Sequence, residues 1–102
     1  MTITCSIRYD IDPFQREAFE AYGRAWLSII PTCGGDCLGY WMPHEGTNNI
    51  AQAMISFPDL AAYEVYRARL RADPAGAANY AMVAEKRFIL SETRTWLRQV
   101  EA

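Results

Sequence analysis

Residues 2–9 alternate: Ile3, Cys5, Ile7 and Tyr9 fall on one side, Thr4, Ser6 and Arg8 on the other. That period of two predicts a half-buried strand. Asp10-Ile11-Asp12-Pro13 stops it, and the same residues announce a helix. Asp12 suits an N-cap, Pro13 the first helical position, and Gln15 the far side of a capping box. The period then lengthens. Phe14, Ala18, Tyr22, Trp26 and Ile30 recur every four residues with Phe19 and Ile29 beside them, and Arg16, Glu17, Glu20 and Arg24 take the wet face. Pro31 and the Gly34-Gly35 pair are predicted to end this helix.

Two strand-like runs follow, over 37–42 and 50–57, joined by a polar loop over 43–49 that holds the only histidine, His44. Leu38, Tyr40 and Met42 are expected to oppose Cys37, Gly39 and Trp41 across the first strand. Ile50, Gln52 and Met54 oppose Ala51, Ala53 and Ile55 across the second. Both faces of both strands read as largely apolar, unlike an antiparallel sheet with one wet face. Pro58 and Asp59 open a second helix carrying Leu60, Tyr63, Tyr66 or Arg67, and Leu70 at three- and four-residue spacing. Asp73-Pro74 repeats the start signal for a shorter helix over 74–85 with Tyr80, Met82 and Val83. A last strand is expected over 87–98, with Phe88, Leu90, Glu92, Arg94 and Trp96 on one face.

The order strand, helix, two strands, helices, strand is the split βαβ ferredoxin-like pattern. It predicts an α+β domain: a four-stranded antiparallel sheet with helices on one face. The bare apolar face calls for a second copy, the two sheets closing a dimeric α/β barrel between them. Length agrees, since 102 residues make one domain of limited self-burial. A composition of 51% hydrophobic residues supplies a core. Ten basic and twelve acidic residues, with the arginines scattered, leave no phosphate-binding tract, so no nucleic-acid partner is expected. No apolar run reaches membrane-span length. The opening MTITCSIRYD has neither a charged nor an apolar signal region, and Cys5, Cys33 and Cys37 are odd in number. Free thiols in the cytoplasm are the expectation.

Residues 26–74, WLSIIPTCGGDCLGYWMPHEGTNNIAQAMISFPDLAAYEVYRARLRADP, with RFILSETRTWLR at 87–98, resemble the NIPSNAP family. The most specific matches are Gly39-Tyr40, His44-Glu45-Gly46, Ser56-Phe57-Pro58 with Tyr63 and Arg67, and Thr93-Arg94-Thr95-Trp96-Leu97. The resemblance implies a dimeric α/β barrel, in agreement with the pattern. It implies no settled activity, because similar barrels serve cofactor-free monooxygenases, haem enzymes and proteins without known catalysis.

Among candidate chemistry, His44 beside Glu45 stands out as a general base or ligand-binding pair on a loop. The plainer reading is a histidine that fixes the loop by bonding its backbone. Tyr22, Trp26, Tyr40, Tyr63 and Tyr66 suit the walls of a pocket for a flat apolar or aromatic ligand, with Asn49 and Arg67 as further contacts. The competing reading is ordinary core, but several tyrosine hydroxyls are costly to seal in a dry interior. Cys33, Cys37 and His44 lack a fourth ligand and the usual spacing, so no metal site is expected. No haem or other cofactor is expected either. Glu92 and Arg94, with Arg8 on a neighbouring strand, read as an ion pair fixing register at a dimer interface. Arg67, Arg69 and Arg71 read as a solvated helix face. Two functions stay open: a small-molecule pocket, in its catalytic form a cofactor-free oxygenase with His44 accepting a proton, or a non-catalytic dimeric interaction module.

Overall fold

A computed structural model describes residues 1–102. The chain folds as β1 (Ile3–Ile11), a single 3-10 turn (Pro13–Gln15), α1 (Arg16–Thr32), β2 (Asp36–Trp41), β3 (Ile50–Phe57), α2 (Leu60–Ala72), α3 (Pro74–Lys86) and β4 (Ile89–Arg98). The sheet is antiparallel throughout, in the order β2-β3-β1-β4. This is the predicted ferredoxin-like α+β fold. Its shortest extent is 19 Å, the depth of one sheet and one layer of helices.

Register explains which side chains face the helices. Cys5, Ile7 and Tyr9 of β1 lie opposite Ile55, Ala53 and Ala51 of β3 and opposite Trp96, Arg94 and Glu92 of β4. All of these therefore share the helix-covered face. The central β1–β3 pair supplies most of the core, which α1 closes with Phe19, Tyr22, Trp26, Ile29 and Ile30. The rings of Tyr9, Phe19, Tyr22 and Phe88 meet edge-on or tilted at 5.0–6.4 Å, and such pairs contribute about 0.5–1.5 kcal/mol each beyond area burial.

Four local expectations are corrected. Phe14 is 94% exposed, because the capping signal at Asp12 starts a 3-10 turn that sets it off the core stripe of α1. Pro31 lies inside α1 near its end; the stop is Gly34, whose φ of 104° suits only glycine. In β2 an extra residue at Leu38 shifts the register, so Cys37 and Tyr40, three apart, both pair within the helix-side rows opposite Ile55 and Ala53. Arg8 pairs across from Thr93, on the face opposite Arg94, and bonds Asp10 at 3.4 Å instead of joining Glu92.

The open face is also more mixed than the hairpin pattern predicts. Trp41, Ile50, Met54 and Leu97 are its apolar residues, but β1 presents Thr4, Ser6, Arg8 and Asp10, and β4 adds Thr93 and Thr95. Thr4 and Ser56 hydroxyls pair there at 2.8 Å. No helix is long and apolar enough to cross a membrane.

Helix ends are tightly specified. Asp59 accepts from Ala62 N–H at 2.8 Å to start α2. Asp73 ends α2 by its own N–H bonding Arg69 carbonyl, and starts α3 by accepting from Gly76 N–H at 2.9 Å. The two helices thus meet with a single residue between them. Buried Asn79 then fastens α3 to α1 by donating to the Tyr22 carbonyl at 3.1 Å.

Candidate functional site

Between the sheet and the helices lies a cavity of about 330 Å³, at the small end of the roughly 300–1,000 Å³ usual for ligand sites. Its floor is Cys5, Ile7, Tyr9, Ile55 and Phe57 of the sheet. Tyr22, Trp26 and Ile30 of α1 form one wall and Tyr63, Tyr66, Arg67, Leu70 and Arg71 of α2 the other. Tyr40, Tyr80 and Arg94 complete it from β2, α3 and β4. The sheet pattern and the stripes on α1 and α2 are what aim these aromatic groups at one space.

Within this ring of aromatic groups, polar atoms are only partly matched. Tyr9 and Tyr40 hydroxyls bond each other at 3.2 Å. The Tyr63 hydroxyl accepts from Arg94 Nη1 at 3.1 Å, while the Arg67 guanidinium sits 5.5 Å from the Tyr63 ring centre in a cation–π contact. The Tyr66 hydroxyl bonds no protein atom, whereas the Tyr22 hydroxyl lies within reach of the Trp26 indole N–H and the Tyr9 hydroxyl, contacts that partly offset the effect of its burial. Trp26 is 2% exposed, and its indole N–H lies beside the Tyr22 hydroxyl without reaching good hydrogen-bonding geometry, the two rings standing 5.7 Å apart. A buried donor left so costs about 1–3 kcal/mol unless something in the cavity accepts from it.

Burial pushes the Tyr22 hydroxyl up to about 12 and raises Tyr9, Tyr40, Tyr66 and Tyr80 as well. These phenols are therefore neutral donors at physiological pH. The Cys5 thiol is likewise raised by burial, so it is a poor nucleophile.

Of the residues singled out in the sequence, Tyr22, Trp26, Tyr40, Tyr63, Tyr66 and Arg67 converge on this cavity. His44, Glu45 and Asn49 do not. They lie on the loop between β2 and β3, where His44 and Glu45 are exposed. His44 makes no side-chain hydrogen bond, so it does not fix the loop either. That task falls to Arg16, whose Nη2 donates to the Pro43 carbonyl at 2.9 Å, and to Ile11 N–H, which donates to the Asn49 carbonyl at 2.9 Å.

Besides the apolar lining, the cavity residues Tyr9, Arg71, Tyr80 and Arg94 escaped the reading of the sequence as site residues, Tyr80 being legible only as a position on the third helix. Tyr9 was legible only as a strand position. Arg71 belongs to the supposedly solvated face of α2, yet lines the cavity together with Arg67 one turn earlier. Arg94 does pair with Glu92, at 3.2 Å, but on the helix side of the sheet, at the cavity. The i, i+4 spacing of Arg67 and Arg71 with Tyr63 was the available signal. No group of His, Cys, Asp and Glu is arranged to hold a metal ion.

Fold and cavity together define a ferredoxin-like α+β protein with a ligand-sized space between sheet and helices. The NIPSNAP family model matches residues 6–102, and the chain belongs to that family. A NIPSNAP family protein of Agrobacterium tumefaciens has the same fold, with a TM-score of 0.85 at 18% identity over 99% of this chain and 95% of that one. A NIPSNAP-like domain protein of Burkholderia xenovorans follows at 0.79 and 20% identity, over 97% and 85%. A Caulobacter crescentus protein provisionally assigned as an antibiotic biosynthesis monooxygenase superposes at 0.73 and 13% identity, over 98% and 91%. No curated protein matches the chain.

Proposed function

We propose that the chain is a small-molecule-binding protein whose cavity takes a planar, largely apolar aromatic ligand. The observation that carries this reading is an imperfectly matched polar lining: the buried Trp26 N–H, which meets the Tyr22 hydroxyl only in poor geometry, and the unbonded Tyr66 hydroxyl face the same space. A ligand that stacks on the rings and offers one or two oxygen acceptors satisfies these groups at once. Titration calorimetry against a panel of bicyclic aromatic compounds tests it. Ile55→Phe, which adds a ring to the cavity floor, should abolish binding while circular dichroism shows an intact fold. Binding that survives this filling overturns the site.

The catalytic form of this reading is cofactor-free oxygenation, in which a phenolic ligand and O₂ give a quinone and water. The ligand supplies the electrons, one oxygen atom stays in the product, and the other leaves as water. Support comes from the likeness to the Caulobacter protein assigned as a monooxygenase. His44, Glu45 and Asn49 have no part in the proposed site. Oxygen-electrode traces with ligands found by calorimetry separate catalysis from binding: no uptake leaves a binding protein.

We also propose a homodimer through the open sheet face, in the cytoplasm. Trp41, Met54 and Leu97 give that face its apolar contacts, and the three cysteines are free thiols. Sedimentation velocity at micromolar concentration should return twice the chain mass, and Trp41→Asp should return the single chain.

A further inference from the structure

The cavity lining holds three arginines, Arg67, Arg71 and Arg94, and no aspartate, glutamate or histidine, although the chain as a whole carries a net charge of −2. Arg71 takes part in none of the ion pairs. Arg67 reaches only Glu64, at 3.6 Å on the exposed side of α2. Arg94 is different: Glu92 accepts from its Nε and contacts its Nη2, and Nη1 donates to Tyr63, so its fork is held in one orientation. Cations concentrated beside an apolar cavity raise the local concentration of anions. A guanidinium fork also matches a carboxylate in plane and spacing better than an ammonium does.

We propose that the ligand is an aromatic carboxylate, its ring system among the tyrosines and its carboxylate held by Arg71 and Arg94. This rests on the ligand-binding reading above and narrows it to an anion. Arg71 supplies the uncompensated charge and Arg94, whose fork is already engaged by Glu92 and Tyr63, only the remaining hydrogens of its Nη atoms, while the cation–π contact keeps Arg67 over Tyr63 as support. A neutral aromatic of the same shape would fill the apolar space and leave the free charge of Arg71 unanswered.

Calorimetry with naphthoate and naphthamide, alike in shape and different in charge, tests this on the full chain. The expected result is at least about tenfold tighter binding of naphthoate, reduced by added salt. Arg71→Met, on an exposed position, should remove most of that preference while melting temperature stays unchanged. Arg94→Met serves as the second variant, with the same expected loss. Equal affinity for the two compounds overturns the anion inference and leaves the aromatic cavity standing. A naphthoate preference that survives both substitutions overturns the assignment to these arginines. Failure of either compound to bind overturns the cavity reading itself.

Discussion

Alkaline titration puts the tyrosine-walled cavity to a quantitative test. Burial raises Tyr22 from 10.0 to about 12 and raises Tyr9, Tyr40 and Tyr66 in the same direction. For a group whose pKa is higher folded than unfolded, the stabilisation is fully present below the unfolded value. It is then lost as pH climbs through the folded one. In that window each such tyrosine removes about 1.4 kcal/mol per pH unit. Tyr22 alone accounts for about 3 kcal/mol between pH 10 and 12. Tyr9, Tyr40 and Tyr66 are raised in the same direction, so the loss steepens wherever they titrate together with Tyr22. A domain stable by about 5–15 kcal/mol is therefore expected to unfold cooperatively above the ordinary tyrosine range. Tyrosinate absorbance and far-ultraviolet circular dichroism, followed on one sample, should change together in a single steep step. Tyrosinate forming smoothly near pH 10 in a protein that keeps its circular dichroism would refute the buried, neutral wall.

Other perturbations follow from local contacts. Gly76→Ala should destabilise by about 1–3 kcal/mol in chemical denaturation, despite the usual helical advantage of alanine, because a Cβ there would stand 2.6 Å from the Leu70 carbonyl oxygen. His44→Ala should leave both ligand affinity and melting temperature within error, about 0.5 kcal/mol or less, since the imidazole bonds nothing; loss of affinity returns His44 to the site, and loss of melting temperature returns it to fixing the loop. The Asp12 carboxylate is held below its usual range by the Phe14 N–H and then by the Gln15 amide. Its contribution is present above the unfolded carboxylate value and fades as pH falls through the lowered one, so thermal melts on acidification should flatten in Asp12→Asn.

Strand and helix order was readable because period and caps are local properties: the alternation of β1, the Asp-Pro starts at Asp12 and Asp73, and the stripe of Tyr22, Trp26 and Ile30. Convergence of those rings with Tyr63, Tyr66 and Arg67 followed once the topology was right. What the sequence hid is non-local or a matter of one residue. The face that Arg94 occupies depends on its register opposite Ile7, a pairing across most of the chain. The extra residue at Leu38 was marked only by Gly39 beside it, whose φ of 153° belongs to the bulge, and with that glycine read as an ordinary strand position the facing of Cys37 was misread. His44 drew notice by being the single histidine, which is a fact of composition with no bearing on where a loop points.

The meeting of α2 and α3 at Asp73 has a consequence for traffic in and out of the cavity. With one amino acid serving as both terminus and start, and Asn79 anchoring the far helix, the corner has no slack to swing like a lid. Arg71, Tyr80 and Arg94 are the exposed residues of the lining, so a guest is expected to pass their tips by rotamer changes on the nanosecond scale. Exchange should then be fast on the chemical-shift timescale, with no slow opening step limiting how quickly the chamber fills or empties.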